Sequence, residues 1–418
     1  MKAIASAMNP KDAAARRLMN AQAVRERSRQ IFSLAVSGGL KHFTVDTGRF
    51  EAACDYVVRT IRANYPKMAV PPFARWRQFS VGEVDRWSKI AGNRAWADRV
   101  AHGRAAVDLA VVSVLLDAAP GRKWAFAEAD TGETFGRGEG QAVACLTMFG
   151  RGVFSADPYD PLRADARRLS GLTAEELADG FQASRANPLA GLEERLAVLT
   201  RLGEVVAART DVFGTPDGPR PGGLVDYFAR VADGGRISAP HILEVLLDVL
   251  MPVWPGHFRL GSTPLGDTFA HPALRTGDAT DGLVPLHRLA QWLVYSLIEP
   301  LVWSGFQVTD LDGLTALAEY RTGGLMIDMG VLKIRSHAAT TEIFPVDHEL
   351  VVEWRALTVA AVDRLADGIR KRISRTADTF ALPCIIEGGT WAAGRRIARE
   401  KRSDGAPPIR VANEGTYF

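Results

Sequence analysis

Cysteine is scarce in this 418-residue chain: Cys54, Cys145 and Cys384 are three in number and far apart. That spacing supports no disulfide framework, and without CxxC, HExxH or a closely spaced Cys/His set no zinc signature is supported. Charge of one sign is lacking as well. The 51 basic and 48 acidic residues leave a formal net charge of +3, which does not point to nucleic acid. Long uncharged runs are missing: the apolar stretch "ILEVLLDVLMPVW" carries charges and falls short of a membrane span. The opening "MKAIASAMNPKDAAARRLMN" has no apolar signal core. A soluble cytoplasmic protein with no membrane partner is the simplest expectation. No P-loop or GxSxG elbow occurs. "FGRGEGQAVA" (135–144), with Gly136, Gly138 and Gly140 around Arg137 and Glu139, lacks full GxGxxG spacing and a βαβ setting, so a Rossmann site is excluded.

What is present is helical. With 47% hydrophobic residues the chain can bury a large core without disulfides or a structural metal. Apolar periodicity predicts helices near 11–37, 48–65, 83–118, 173–208, 239–250, 285–304, 312–333, 348–373 and 386–402. "WAFAEADTGETFG" (124–136) predicts a hairpin, with Thr131-Gly132 between alternating aromatic and polar residues. Pro- and Gly-rich breaks at 215–223 and 261–285 read as loops that need not be domain boundaries. The expected organisation is an N-terminal helical extension (1–30) followed by one large, mainly α body (31–418).

Several stretches hold candidate functional residues. In "LTALAEYRTGGLMIDMGVL" (314–332), Leu314, Leu317, Leu325, Met329 and Leu332 fit one helical face. Gly323-Gly324 would weaken such a helix by about 1 kcal/mol per glycine relative to alanine. The conflict points to a helix–hairpin–helix break or to a close approach of backbone to a ligand. Glu319 and Arg321 are two apart, too close for a helical (i, i+4) ion pair, which leaves Glu319, Arg321 and Asp328 either as surface charges or as site residues. In "VPLHRLAQWLVYSLIEPL" (284–301), Pro285 suits a first helical turn and Leu286, Leu289, Leu293 and Leu297 make a core stripe. His287, Arg288 and Gln291 lie outside that stripe, on a face turned either to solvent or to a pocket, with Arg288 as an anion clamp. In "EGGTWAAGRRIAREKRSDGAPPIRVANEGTYF" (387–418), helical spacing aligns Glu387, Trp391 and Arg395, and the basic run allows either a solvated terminal helix or a docked one. "PPFARWRQF" (71–79) adds Arg75 and Arg77 around Trp76 in a loop-like setting.

Taken in order, "ARWRQF", "DLAVVSVLLDAA", "RGEGQAVA", "PLHRLAQWLVYSL", "LAEYRTGGLMIDMGVL", "EWRALTVAAVD", "EGGTWAAGRRIA" and "GAPPI" resemble the uracil catabolism protein family of fungi and bacteria, formerly a domain of unknown function. The resemblance runs from about residue 30 to the end. The chain departs from the family pattern at Gly138, where Ser is usual, at Thr322, where Asn is usual, and at "NEGT", where Ser-Asp-Gly-Thr is usual. "LAEYRTGGLMIDMGVL" and the later "EWRALTVAAVDRL" also resemble segments of the queuosine-5′-monophosphate N-ribosylhydrolases, queuosine salvage enzymes with a helical fold related to DNA glycosylases. By that resemblance Glu319 takes the place of their catalytic Asp, Arg321 that of the following Arg, and Arg288 falls near their assisting Lys.

The resemblance implies a helical, glycosylase-like body and a place in a pathway where uracil becomes a nucleotide, its ring opens and urea is released. The implied reaction is hydrolysis of a ribosylurea 5-phosphate, a phosphorylated riboside, with Glu319 stabilising an oxocarbenium-like transition state. Asp328, Gln291 and Glu139 are candidates to assist urea departure, and Arg288, Arg321 and Arg395 to hold phosphate, with His287, Arg137, Trp391 and Arg75 around them. No metal and no cofactor are expected, and other enzymes of uracil degradation are expected partners. A non-catalytic nucleotide-binding scaffold and an amidohydrolase acting on another opened intermediate stay open; nucleic-acid binding is the least favoured.

Overall fold

The longest helix, Glu349–Ile373, buries every side chain from Leu350 to Val362. A helix covered on all sides is a central one, so its apolar residues show no single stripe. His348 caps it, Nδ1 accepting from the Leu350 amide at 3.2 Å, and Arg370, Lys371 and Arg372 sit in the last turn, where the dipole favours cations. Helices Ala21–Val36, Phe50–Asn64 and Tyr320–Asp328 pack against it. This is a computed structural model, describing residues 9–254 and 258–412, predominantly helical with short two-stranded pairings. The "EGTYF" ending lies outside the described residues.

The chain forms two compact units. The first combines residues up to Pro71 with Leu243–Arg288 and Asp312–Ala412; the second holds Pro72–Ile242 and Leu289–Leu311. The break at 261–285 lies within the first unit and that at 215–223 within the second. In the first unit, strand Phe43–Val45 pairs antiparallel with Leu332–Ile334, and Thr268–Ala270 with Leu283–Pro285. Pro285 therefore closes a strand, and the helix expected to start there begins at Arg288.

The helix expected over 312–333 covers only Tyr320–Asp328. Two arginines distant in sequence explain the difference. Arg25 Nη2 donates to the carbonyls of Asp312 (2.9 Å) and Leu314 (2.6 Å), while its Nε binds Asp363 (2.9 Å). Arg355 Nε reaches the Ala318 carbonyl at 3.4 Å. With carbonyls turned to guanidinium groups, residues 314–318 stay irregular and the helix starts only after Glu319.

Gly323 and Gly324 lie inside that helix, not at a hairpin. What approaches them is another part of the fold. A Cβ on Gly323 would lie 2.6 Å from Trp354 Nε1 and 2.7 Å from Thr358 Oγ1, and one on Gly394 would lie 2.3 Å from the Arg321 carbonyl oxygen. These glycines let three helices pack backbone to side chain at the candidate site.

In the second unit the predicted hairpin is present, with Ala125–Ala127 antiparallel to Thr134–Gly136 and Gly132 at φ 72° in the turn. Arg236–Ser238 runs parallel to Gln307–Thr309. The stretches read as single helices at 83–118 and 173–208 are each two: Arg86–Gly92 and Arg99–Leu115, then Ala174–Gly180 and Leu192–Ala208. Asp98 caps the second, accepting from the Ala101 amide at 2.8 Å, and left-handed Gly191 (φ 71°) starts the fourth.

Gly323→Ala tests the packing. Helix propensity alone would stabilise the variant, whereas overpacking against Trp354 and Thr358 costs about 1–3 kcal/mol. We expect a net loss in urea unfolding; a gain would show that the interface yields.

Candidate functional site

Glu319 is 7% exposed and stands at the N-cap of helix Tyr320–Asp328. Its Oε2 accepts from the Arg321 amide and its Oε1 from the Thr322 amide, both at 2.6 Å. The two hydrogen bonds fix the carboxylate's orientation at the positive end of a helix. Beside it the chain assembles cations on an aromatic ring. Arg321 Cζ lies 5.1 Å from the Tyr320 ring centre and 5.7 Å from that of Trp391, and Arg395 Cζ lies 4.9 Å from Trp391. One indole thus gathers two guanidinium groups by its face. Guanidinium forks match phosphate oxygens.

Trp391 ends a π-helical turn, Ile386–Trp391, that leads into helix Ala392–Lys401. Such turns are rare and frequent at functional sites. Here the turn holds Gly389 against the Phe50–Asn64 helix and Gly388 against the chain that follows it, where added Cβ atoms would lie 2.9 Å from Val57 and 2.8 Å from Val70. The regular spacing expected for Glu387, Trp391 and Arg395 is replaced by this wider turn, yet Trp391 and Arg395 still meet.

A buried ion pair supports the Glu319 segment from behind, and sequence reading missed it. Arg355, 1% exposed, binds Asp267 with two bonds of 2.7 and 2.8 Å and stacks its Cζ 5.4 Å from the Phe269 ring. Asp267 Oδ2 also accepts from the Arg288 amide at 2.8 Å, and its carbonyl from the amides of Leu286 and His287. One carboxylate therefore joins the start of helix Arg288–Trp303 to the guanidinium that touches Ala318. Burial raises the Asp267 carboxyl, but Arg355 and the Arg288 amide outweigh it and hold it below its ordinary value of 3.8. The available signal was a Glu and an Arg inside the apolar run "EWRALTVAAV", since buried charges need partners.

The remaining candidates have other surroundings. Asp328 lies at the far end of its helix, about 13 Å from Glu319 by helical rise, where both its oxygens bind Arg402 at 2.8 and 2.6 Å. His287 is buried with a left-handed backbone (φ 44°), its Nε2 2.9 Å from the Leu18 carbonyl; burial pushes its pKa down. Arg288 is half-buried. Gln291 is buried, as is every residue from Leu289 to Ile298, so it does not face solvent. In the second unit Arg75 has no exposed surface. Its Nε binds Ser113 at 2.7 Å, its Nη1 binds Asp117 at 2.9 Å and also Gln78, and its Cζ stacks 5.5 Å from the Trp292 ring. Arg137, exposed at φ 55°, and half-buried Glu139 open helix Arg137–Gly150 in that same unit. Of the C-terminal basic run, Arg396 pairs with Glu400 at 2.9 Å and Arg402 with Asp328.

A family model described as a protein of unknown function (DUF1688) matches residues 17–418. The chain is 33% identical over 413 residues to Protein urg3 of Schizosaccharomyces pombe, covering 96% of this chain and 98% of that one. It is also 33% identical over 429 residues to Uracil catabolism protein 4 of Lachancea kluyveri, covering 94% and 97%.

The Asp267–Arg355 pair sets a pH dependence. A carboxyl held below its ordinary value contributes stability that is complete above that value, 3.8, and is lost as pH falls through the folded-state value. Asp267→Asn should weaken the protein at neutral pH and flatten the acid limb of melting temperature against pH. An acid limb of unchanged steepness would assign the loss to other carboxylates.

Proposed function

This chain belongs to the DUF1688 family, and we propose that it is an N-ribosylhydrolase of uracil catabolism. Its substrate is ribosylurea 5-phosphate, which is left when the opened ring of uridylate has lost its three-carbon fragment, and its hydrolysis products are urea and ribose 5-phosphate. The observation that carries this reading is Glu319, oriented by two amides, next to the Arg321–Trp391–Arg395 stack. Membership of a family that includes a uracil catabolism protein supports an enzymatic role in that pathway.

Bond cleavage between the anomeric carbon and the urea nitrogen spreads positive charge over C1 and the ring oxygen. A carboxylate aimed at that carbon lowers the barrier electrostatically and orients the attacking water. Arg321 and Arg395 hold the 5-phosphate, and Trp391 keeps both guanidinium groups in place and offers an apolar face to the ribose. Asp328 serves this site by anchoring Arg402 beneath the helix. Arg355 positions the irregular segment entering Glu319 and touches no substrate.

Urea release from synthetic ribosylurea 5-phosphate tests the reading. Glu319→Gln should lower kcat by at least about 10²–10³-fold, the scale set by loss of one preorganised charge-stabilising group. Arg395→Ala should mainly raise KM. Turnover by Glu319→Gln at the wild-type rate would remove that residue from the mechanism. Tight uridylate binding by a folded wild type that releases no urea would favour the scaffold reading instead.

A further inference from the structure

Three of the eight histidines gather, with two glutamates, at the first turn of helix Glu349–Ile373, and the hydrolase reading uses none of them. His42 precedes strand Phe43–Val45. Its Nε2 is buried, makes no hydrogen bond to the described residues, and lies 3.7 Å from Glu349 Oε2. Glu349 and Glu353 are one helical turn apart, and donor atoms from His42, Glu349 and Glu353 all lie within 4.8 Å of one another.

Glu353 has no exposed surface, yet its carboxylate is fixed. Oε2 accepts from the His42 amide at 3.2 Å, and Oε1 lies 3.3 Å from His271 Nε2. His271 Nδ1 accepts from the Ala273 amide at 3.3 Å, so a neutral ring carries its proton on Nε2 and donates it to Glu353. A histidine that orients a carboxylate in this way is the kind of outer partner that supports metal-ligating carboxylates. The His348 ring, 5.6 Å from that of His42, closes another side, and its Nδ1 is occupied by the helix cap. The ammonium facing the group is Lys41, 3.6 Å from Glu349 Oε2 on a side chain that is 70% exposed and free to swing outward.

We propose that His42, Glu349 and Glu353 form a binding site for one divalent transition-metal ion of the zinc or manganese type. Metal–donor bonds of about 2.0–2.2 Å place tetrahedral donors about 3.4 Å apart, so the three groups close on the ion by about 1 Å. An imidazole nitrogen with two carboxylates favours these metals over calcium or magnesium, which take oxygen shells. Three protein ligands leave a position for water. Bound there, the ion ties the 42–45 segment to the helix that bears Arg355, and stabilises the first unit.

The test is calorimetric titration of EDTA-stripped full-length protein with Zn²⁺, Mn²⁺, Mg²⁺ and Ca²⁺, with metal content measured after gel filtration. One equivalent of Zn²⁺ or Mn²⁺ should bind and raise the melting temperature. His42→Gln and Glu349→Gln, both near the rim and compatible with folding, should each weaken binding by about 10–100-fold with unchanged circular dichroism. His241→Gln serves as a control that should bind as wild type. No stoichiometric binding, binding of Mg²⁺ or Ca²⁺ alone, or unchanged affinity in both variants would overturn the site. Occupancy is read without substrate, so this outcome and that of the urea assay are independent.

Discussion

The pairing of Arg355 with Asp267 inside the first unit is the contact on which the candidate site depends. Burying two charges costs several kcal/mol per ion, and the cost is offset only when geometry is good and the remaining polar atoms are satisfied. Both conditions hold: two short bonds join the pair, and the Arg288 amide takes a further carboxylate site. The pair connects three stretches that sequence separates widely, the 267 strand region, the start of the 288 helix and the residues that lead into Glu319. Removing one partner leaves the other buried and unpaired, which is costlier than the pair is stabilising.

From that support follows the geometry of Glu319. Arg25 and Arg355 take carbonyls ahead of Glu319, residues 314–318 stay irregular, and the next helix begins after a residue whose side chain caps it. Close helix packing through Gly323 and Gly394 then brings Arg321 to Trp391 and Arg395. In the proposed hydrolase a carboxylate and two guanidinium groups would meet the two demands of cleaving a phosphorylated riboside. One supplies charge where positive character develops, and the other binds the distant phosphate so that binding energy can be used at the reacting carbon.

Much of the helical content was legible because it is periodic. The 239–250 and 348–373 stretches correspond to helices Ala239–Leu250 and Glu349–Ile373. The hairpin was legible from Thr131-Gly132, where turn chemistry is local. Failures occurred where distant residues override local preference. Nothing within 312–333 reveals that Arg25 and Arg355 take its carbonyls. Gly323-Gly324 was legible as a place of close approach, but its neighbour is Trp354 and the backbone stays helical. Of the two settings the pattern left open for Gln291, solvent is excluded, because every residue from Leu289 to Ile298 is buried. Glu319, Arg321, Trp391 and Arg395 stood out through their local patterns and the family resemblance, whereas Asp267, His42 and His271 carry no local signature.

The most direct measurement is the rate of urea release from ribosylurea 5-phosphate carrying deuterium at the anomeric carbon. Cleavage through an oxocarbenium-like state flattens that carbon, so the deuterated substrate should react more slowly while urea leaves with its carbonyl intact. An isotope-insensitive reaction that yields carbon dioxide and ammonia in place of urea would contradict glycosidic cleavage and place the attack at the urea carbonyl.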